Sequence, residues 1–157
     1  MITSELSKIE RSVIVAAPRS RVWRALTNVR EFCRWFSAET AHPEGSFQPG
    51  VRVRLVSTAE TCSGSVFFVE IEEMTPEQIF SWRWHPGTVQ PDVDYSNEPM
   101  TLVTFLLEDA AAGTKVTVTE SGFDRLSLAR RAGVFEGNRA GWDHQMNALE
   151  KYLREAA

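Results

Sequence analysis

Short segments of alternating apolar and polar residues dominate the chain up to about residue 121. In KIERSVIV (8–15), Ile9, Val13 and Val15 share one face, which is typical of a half-buried strand. The alternation recurs in further segments, namely FQPGVRVRLV, SVFFVEIEEM, PEQIFSWRW, TLVTFLLE and TKVTVTE. The last two are joined by DAAAG, a short hairpin link in which Gly113 can adopt a positive φ. The pattern predicts a sheet of antiparallel strands.

Two short helices are predicted directly after the first strand. Pro18 suits the first turn of a helix, because the first backbone N–H groups have no partner within the helix and the missing one costs nothing. Val22, Trp23 and Leu26 then recur at helical spacing. The segment VREFCRWF predicts the second helix.

A long amphipathic helix is predicted from about 126 to 154, because apolar residues recur there at intervals of three or four. The stripe consists of Leu128, Val134 or Phe135, Asn138, Trp142, Met146, Leu149 and Leu153. Gly133, Gly137 and Gly141 interrupt the helix, each at a cost of about 1 kcal/mol relative to Ala. Glycine at these positions indicates close packing, a kink, or room left for something else.

The order of these elements predicts the fold class. A strand, two short helices, several strands and a long helix form an α+β fold most simply if the antiparallel sheet wraps around the C-terminal helix, since both apolar faces are then buried. The 157 residues contain no repeat or linker and have the size of one domain. We therefore expect a single domain spanning 1–157.

Composition and charge narrow the class of protein further. A net charge of −4 argues against nucleic acid as the main partner, because phosphate binding needs a concentrated basic face. No apolar run approaches the roughly 20 residues of a membrane span, and the first residues lack the apolar segment of a signal peptide. The two cysteines have no metal-ligand spacing and fit a reducing compartment. We expect a cytoplasmic protein without a membrane span.

The segment PDVDYSNEP partly matches a calcium loop. Asp92, Asp94 and Ser96 occupy the first, third and fifth positions of such a loop. The sixth position, however, is Asn97 instead of the glycine that makes the sharp turn, and the twelfth is Val103 instead of a bidentate Glu. We do not expect a calcium site here.

Other motifs of catalysis are missing from the sequence. The three histidines form no HxH or HExxH pattern, and no GxSxG nucleophile motif, glycine-rich phosphate loop or carboxylate pair stands out. We therefore assign no catalytic residue, no metal ligand and no cofactor from the sequence.

The connection from His85 to Glu98 is longer than a hairpin requires, and long loops are often functional. Prolines stiffen it, and Tyr95 offers a flat ring with a polar tip. Two interpretations remain open, a lid over a binding site and a spacer that caps the edge of the sheet.

Several segments together carry a family resemblance. They are APRSRVWRALTN, FCRWF, PEQIFSWRWHPG, DVDYSNEP, TLVTFLLE, GTKVTVTESGFD and GNRAGWDHQMNALEKYL. From about 8 to 154 the chain resembles the START-like (SRPBCC) superfamily with the helix-grip fold, in particular the branch named after the activator of heat-shock-protein-90 ATPase in its bacterial stand-alone form. The resemblance implies a curved antiparallel sheet that grips the long helix, with a cavity between them. Relatives bind lipids, sterols, hormones or polyketides there, and a few catalyse cyclisation.

One face of the sheet and the stripe of the long helix are the expected walls of such a cavity. The candidate ligand-binding residues are Trp82, Trp84, Tyr95, Phe105, Val118, Phe135, Asn138, Arg139, Trp142 and Met146. Asn138 and Arg139 are candidates for orienting the polar end of a ligand, because a few polar groups in an apolar cleft are typical of ligand sites. The alternative for most of these side chains is plain core packing.

Three functions are compatible with these observations. The first is binding of a small apolar or amphipathic molecule, which predicts a pocket with few ionisable groups. The second is a polyketide-cyclase-like enzyme, a cyclase or lyase that uses His85, Asp94 or Tyr95, which predicts an inward acid/base pair with perturbed pKa values. The third is a chaperone-linked or other protein-interaction module, which predicts an exposed apolar patch on the order of several hundred Å². Association into a homodimer is left open by the sequence.

Overall fold

Seven antiparallel strands form one sheet in the computed structural model, which describes residues 7–60, 63–87 and 94–156. The strands are β1 (Lys8–Val15), β2 (Ala38–Glu39), β3 (Arg52–Ser57), β4 (Val66–Thr75), β5 (Ile79–Trp84), β6 (Thr101–Ala110) and β7 (Gly113–Ser121). Their order across the sheet is β1-β7-β6-β5-β4-β3-β2. The helices are α1 (Arg19–Thr27), α2 (Val29–Phe36) and α3 (Leu128–Glu155), and a 3₁₀ turn (Phe123–Arg125) precedes α3. The predicted α+β helix-grip arrangement is confirmed.

The hairpin between β6 and β7 depends on one glycine. Ala110 pairs with Gly113, whose φ is 144°, as the sequence allowed. A Cβ at Gly113 would lie 2.1 Å from the carbonyl oxygen of Val15 on β1, so only glycine fits this close approach. The first strand thereby packs against the turn that begins β7 and pairs with β7 along its whole length.

Helices α1 and α2 close one end of the sheet. Pro18 directly precedes α1, and Asn28 separates the two helices. The Asn28 side chain accepts a hydrogen bond from the backbone N–H of Glu31 at 3.0 Å, which caps α2. In the interior, Trp35 Nε1 donates to the carbonyl of Ala25 at 2.8 Å and joins the two helices.

Helix α3 packs on the inner face of the sheet through its apolar stripe. The buried members of the stripe are Phe135, Trp142, Met146, Leu149 and Leu153. Leu128 was expected in the stripe but is 82% exposed, because it is the first residue of α3 and lies well before Phe135, the first buried position. None of the described helices is long and apolar enough to cross a membrane.

Aromatic side chains fill the space between the sheet and the helices. The ring of Trp82 on β5 lies 5.7 Å from that of Phe32 on α2 and 5.5 Å from that of Phe105 on β6. All three side chains are at most 1% exposed.

Candidate ligand-binding cleft

A cleft of about 410 Å³ lies between α3 and the ends of strands β3, β4 and β5, and we call it the α3 cleft. Its lining residues are Phe36, Ser37, Ser57, Ala59, Ser65, Val66, Phe67, Trp84, His85, Gly87, Arg130, Gly133, Val134, Gly137, Asn138 and Gln145. The volume is within the range of about 300–1,000 Å³ that is typical of small-molecule sites. Aliphatic and aromatic side chains line its middle, and polar side chains stand at both ends.

The glycines of α3 leave open space beside the helix. A Cβ built at Gly133, Gly137 or Gly141 meets no atom within 4 Å, so close packing against a neighbouring element does not explain any of the three glycines. Gly133 and Gly137 line the cleft, whereas Gly141 does not. Of the interpretations that the sequence left open, room beside the helix is the one that fits the first two glycines.

One end of the cleft is organised around an arginine of the first turn of α3. Arg130 Nη1 donates to both carboxylate oxygens of Glu98 at 2.6 Å, and its Nη2 donates to the carbonyl of Pro86 at 3.2 Å. The guanidinium lies 5.2 Å from the centre of the Tyr95 ring, and that ring lies 6.3 Å from the ring of His85. Arg130 therefore ties α3 to both ends of the loop that was predicted to be a lid or a spacer.

His85 contributes an unsatisfied polar atom to this end. Its Nδ1 is buried and has no hydrogen-bond partner among the residues that the structure describes. Burial lowers the pKa of His85 below its ordinary value of 6.5; the carboxylates of Glu98 and Glu70 oppose this effect, and Arg52 and Arg130 add to it. The imidazole is therefore mainly neutral at pH 7.

The opposite end of the cleft is formed by Gln145 and the end of α2. Gln145 Nε2 donates to the carbonyl of Phe36 at 3.0 Å, which fixes the orientation of the amide. Its Oε1 is buried and, within the described part of the chain, has no partner. An amide oxygen only accepts hydrogen bonds, so the missing partner of Gln145 Oε1 is a hydrogen-bond donor.

A buried carboxylate lies directly behind the wall of the cleft. Glu120 on β7 is fully buried and accepts hydrogen bonds from Trp84 Nε1 at 2.8 Å, Thr101 Oγ1 at 2.5 Å and Trp142 Nε1 at 2.7 Å. The amide of Asn138 donates to both of its oxygens, at 2.9 and 3.1 Å. Because Trp84 and Asn138 also line the cleft, Glu120 holds two of its wall residues in place.

Glu120 was missed when the sequence was interpreted, although a signal for it was present. Val116, Val118 and Glu120 alternate along β7, so the period of two places all three on the inner face. An acidic residue at an inward position requires hydrogen-bond donors, and Trp84 and Asn138 were already candidates for the same region.

The residues expected to bind a ligand fall into separate groups. Trp84 and Asn138 line the cleft. Trp142 lies behind it, on Glu120. Five others lie in the filled core and are at most 5% exposed; they are Trp82, Phe105, Val118, Phe135 and Met146.

The two remaining candidates lie near the surface. Tyr95 stacks beside Arg130 at the mouth of the cleft. Arg139 is exposed and forms an ion pair with Glu136 at 2.8 Å, on a side of α3 that does not line the cleft. His85, which the sequence offered only for the cyclase alternative, also lines the cleft. Among the lining residues that sequence reasoning did not single out, Arg130 and Gln145 are the polar ones with the largest side chains.

The segment once compared with a calcium loop is described only in part. Asp94 accepts a hydrogen bond from the backbone N–H of Ser96 at 2.9 Å, and this bond, followed by one from the Ser96 side chain, lowers the pKa of Asp94. Asp92 lies outside the described residues. Within the described ranges, no group of three His, Cys, Asp or Glu side chains could hold a metal ion.

The fold and the cleft define a class of α+β helix-grip proteins. The chain matches the family described as "Activator of Hsp90 ATPase homolog 1-like protein" over residues 16–154, and it belongs to that family. The resemblance inferred from the sequence is thereby confirmed. A comparison with curated proteins finds no match.

Solved structures share the fold at low sequence identity. Protein MLL2253 from Mesorhizobium loti is 23% identical, with a TM-score of 0.68 and a match covering 96% of this chain and 98% of that one. Aha1 from Colwellia psychrerythraea, solved as a dimer, is 16% identical with a TM-score of 0.69, and the match covers 93% and 95%. DynU16, a putative protein in the dynemicin biosynthetic locus, is 23% identical with a TM-score of 0.69, and the match covers 94% of this chain but 47% of DynU16. Such identities show the fold alone.

Proposed function

We propose that this protein binds a small apolar or amphipathic molecule in the α3 cleft. The observation that carries the proposal is the open volume of about 410 Å³ beside Gly133 and Gly137. Two glycines within a helix cost about 1 kcal/mol each, and no close packing offsets that cost here. A cleft that must stay open for a ligand accounts for them.

The chemistry of the lining supports binding more than catalysis. Among the described residues that line the cleft, His85 and Arg130 are the ionisable ones, and Arg130 is already paired with Glu98. The cyclase alternative requires an inward acid/base pair. Of its candidates, His85 lines the cleft, but Asp94 is exposed and accepts its hydrogen bond from Ser96, while Tyr95 stacks at the mouth. Among the described residues, no carboxylic acid or second base lines the cleft with His85, so the pair that this alternative requires is missing there.

The protein-interaction alternative has less support on the surface. The exposed large apolar side chains of the described residues are Ile14, Val51, Leu106 and Leu128. They lie on β1, before β3, on β6 and at the start of α3. This distribution over three elements and one connection does not favour a broad apolar docking face.

The experiment that tests the proposal uses two glycines of the same helix. Leucine at Gly137 places its side chain in the cleft, whereas leucine at Gly141 enters open space outside it. Both substitutions relieve the same helix penalty, so they form a matched pair. Ligand is added to each protein while tryptophan emission is recorded, because Trp84 lines the cleft and reports its filling. Native mass spectrometry of the purified protein identifies any molecule that is already bound.

Binding in the cleft predicts a saturable emission change in the unmodified protein and in Gly141→Leu, with at least a tenfold loss of affinity in Gly137→Leu. Equal affinities of the two variants would contradict the assignment of the site. No saturable response across a panel of aliphatic alcohols, fatty acids and aromatic phenols, together with a ligand-free mass, would contradict the function itself.

A further inference from the structure

The α3 cleft has one unsatisfied polar atom at each end. His85 Nδ1 and Gln145 Oε1 are both buried, and neither has a partner within the described residues. Buried polar atoms in native proteins are nearly always hydrogen-bonded, so each exception needs a reason. Both residues line the cleft, and a molecule bound there is in a position to supply both missing partners.

His85 and Gln145 lie beside different strands of the sheet. His85 directly follows β5, and Gln145 is bonded to the carbonyl of Phe36, which lies just before β2. Strands β5, β4, β3 and β2 are adjacent in that order, so at about 4.8 Å per step the two ends are about 14 Å apart. Along α3, Arg130 and Gln145, which both line the cleft, are about 22 Å apart. The cleft is therefore elongated.

Apolar side chains connect the two polar ends of the cleft. Trp84 directly precedes His85, and the carbonyl of Phe36 accepts a hydrogen bond from Gln145. The ring of Phe67 lies 6.0 Å from the rings of both Trp84 and Phe36, so it stands between the two ends. Apolar surface is most favourably covered by an apolar segment of ligand.

The charges around the cleft do not favour an anion. Arg130 is the one cationic side chain among the described lining residues, and both carboxylate oxygens of Glu98 already accept from it. The groups that act on His85 electrostatically are two carboxylates and two guanidiniums, which balance. A carboxylate or phosphate group in the cleft would lose its hydration without gaining an unpaired cation, and this is costly.

We infer that the cleft takes an uncharged, elongated molecule with an apolar middle and a hydrogen-bonding group at each end, and that the group at Gln145 is a hydroxyl or N–H donor. The donor is required because Gln145 Nε2 is committed to the carbonyl of Phe36, which leaves only the accepting oxygen without a partner. At the other end, His85 Nδ1 donates or accepts according to its tautomer, so this end takes either kind of group. This inference rests on the proposed function and specifies the chemical class of its ligand.

A matched series of three probes tests the inference. Decane with a hydroxyl at both ends can reach both unsatisfied atoms. A hydrogen bond of about 2.8 Å at each end leaves about 8–9 Å of the ~14 Å for the two ligand oxygens, and an alkyl chain of this length reaches that separation with a few gauche bonds. Decanol keeps one hydroxyl, and decanoate replaces it by a charge. A second hydrogen bond predicts that the diol binds about threefold to tenfold more tightly than decanol. Decanoate is expected to bind more weakly than decanol.

Variants at the two ends assign the contacts. Gln145→Leu removes the accepting oxygen, and Asn147→Leu, at an exposed position of the same helix, is its control. His85→Phe removes the imidazole at the other end, and its control is His144→Phe, at an exposed position. We expect each cleft variant to reduce the affinity for the diol to about that for decanol, while the controls keep the full advantage of the diol. If a cleft variant fails to fold, the order of the affinities of the three probes for the unmodified protein still tests the inference.

The outcomes separate this inference from the proposed function. If all three probes bind in a manner that Gly137→Leu abolishes, but with equal affinity or most tightly for decanoate, the inference is overturned and the proposed function stands. An advantage of the diol that survives both Gln145→Leu and His85→Phe also overturns it. If no probe binds saturably and Gly137→Leu equals Gly141→Leu, the proposed function fails and the inference fails with it.

Discussion

The carboxylate of Glu120 accepts a hydrogen bond from the indole Nε1 of Trp84 at 2.8 Å, so a fully buried acid holds the largest side chain that lines the α3 cleft. Its hydrogen-bond partners among the described residues are neutral donors, on β5, β6 and α3. A buried carboxylate is costly unless its lone pairs are filled, and here several donors fill them. Glu120 therefore links the stability of the fold to the shape of the cleft.

Replacement of Glu120 by Gln is expected to lower the free energy of unfolding by about 2–4 kcal/mol. The amide keeps the shape of the side chain, but its NH₂ group then faces the N–H donors of Trp84, Trp142 or Asn138. Each buried donor that loses its acceptor costs about 1–3 kcal/mol. Urea unfolding followed by circular dichroism measures the change.

The control for this prediction is Glu108→Gln. Glu108 is exposed on β6, and exposed substitutions of this kind usually change stability by less than about 0.5 kcal/mol. If Glu120→Gln and Glu108→Gln have the same unfolding midpoint, the network around Glu120 does not have the importance assigned to it.

Alanine at Gly133 or Gly141 is expected to stabilise the protein by about 0.5–1 kcal/mol each, because Ala is the better helix former and its Cβ meets no atom within 4 Å. Gly113→Ala is the opposite case. Its φ of 144° and the 2.1 Å approach of a Cβ to the carbonyl oxygen of Val15 predict a large loss. Thermal unfolding of the three variants should show two increases in Tm and one marked decrease; a decrease for both helix variants would argue against open space beside α3.

The ion cluster at Glu31 predicts a dependence of stability on pH. Burial alone would raise the pKa of Glu31, but hydrogen bonds from Tyr152 at 2.7 Å and from Arg21 and Arg24 outweigh it and hold the pKa below 4.5. The folded state thus binds this proton more weakly than the unfolded state. Its contribution to stability is complete above about pH 4.5 and is lost as the pH falls through the folded pKa.

Urea unfolding at pH 7 and pH 3 tests this contribution. Glu31→Gln should lose less stability on acidification than the unmodified protein, while Glu108→Gln, which removes an exposed carboxylate, should lose as much. An equal loss in Glu31→Gln and the unmodified protein would show that this carboxylate has no part in the acid sensitivity.

The fold was predictable because it depends on local periodicity. Alternation in β5 placed Phe80 and Trp82 on one face, and both are buried, since the pleat of a strand fixes a period of two. The interval of three or four placed Trp142, Met146 and Leu149 on the packed face of α3 for the corresponding reason.

The cleft was less predictable, because it depends on how distant elements are placed. Trp84, Asn138 and Trp142 were all singled out, yet the sequence does not show that they meet at Glu120, which requires β5, β7 and α3 to converge. Likewise, adjacent residues of a helix point about 100° apart, so the rotation of α3 about its axis decides whether Asn138 or Arg139 faces the cleft. That rotation is set by packing of the whole stripe and not by any local pattern.

The neutral state of His85 leads to a last prediction. Because burial lowers its pKa below 6.5, the unfolded chain binds this proton more tightly than the folded protein does. Stability should therefore fall as the pH drops below about 6.5 toward the folded pKa, and His85→Phe should remove that part of the decrease. An NMR titration of the imidazole signals measures the pKa directly, with the exposed His144 as the internal reference. Addition of the decane diol should shift the His85 signals and leave those of His144 in place. A pKa of His85 at or above 6.5, or ligand shifts confined to His144, would mean that the imidazole is not buried in the cleft as described.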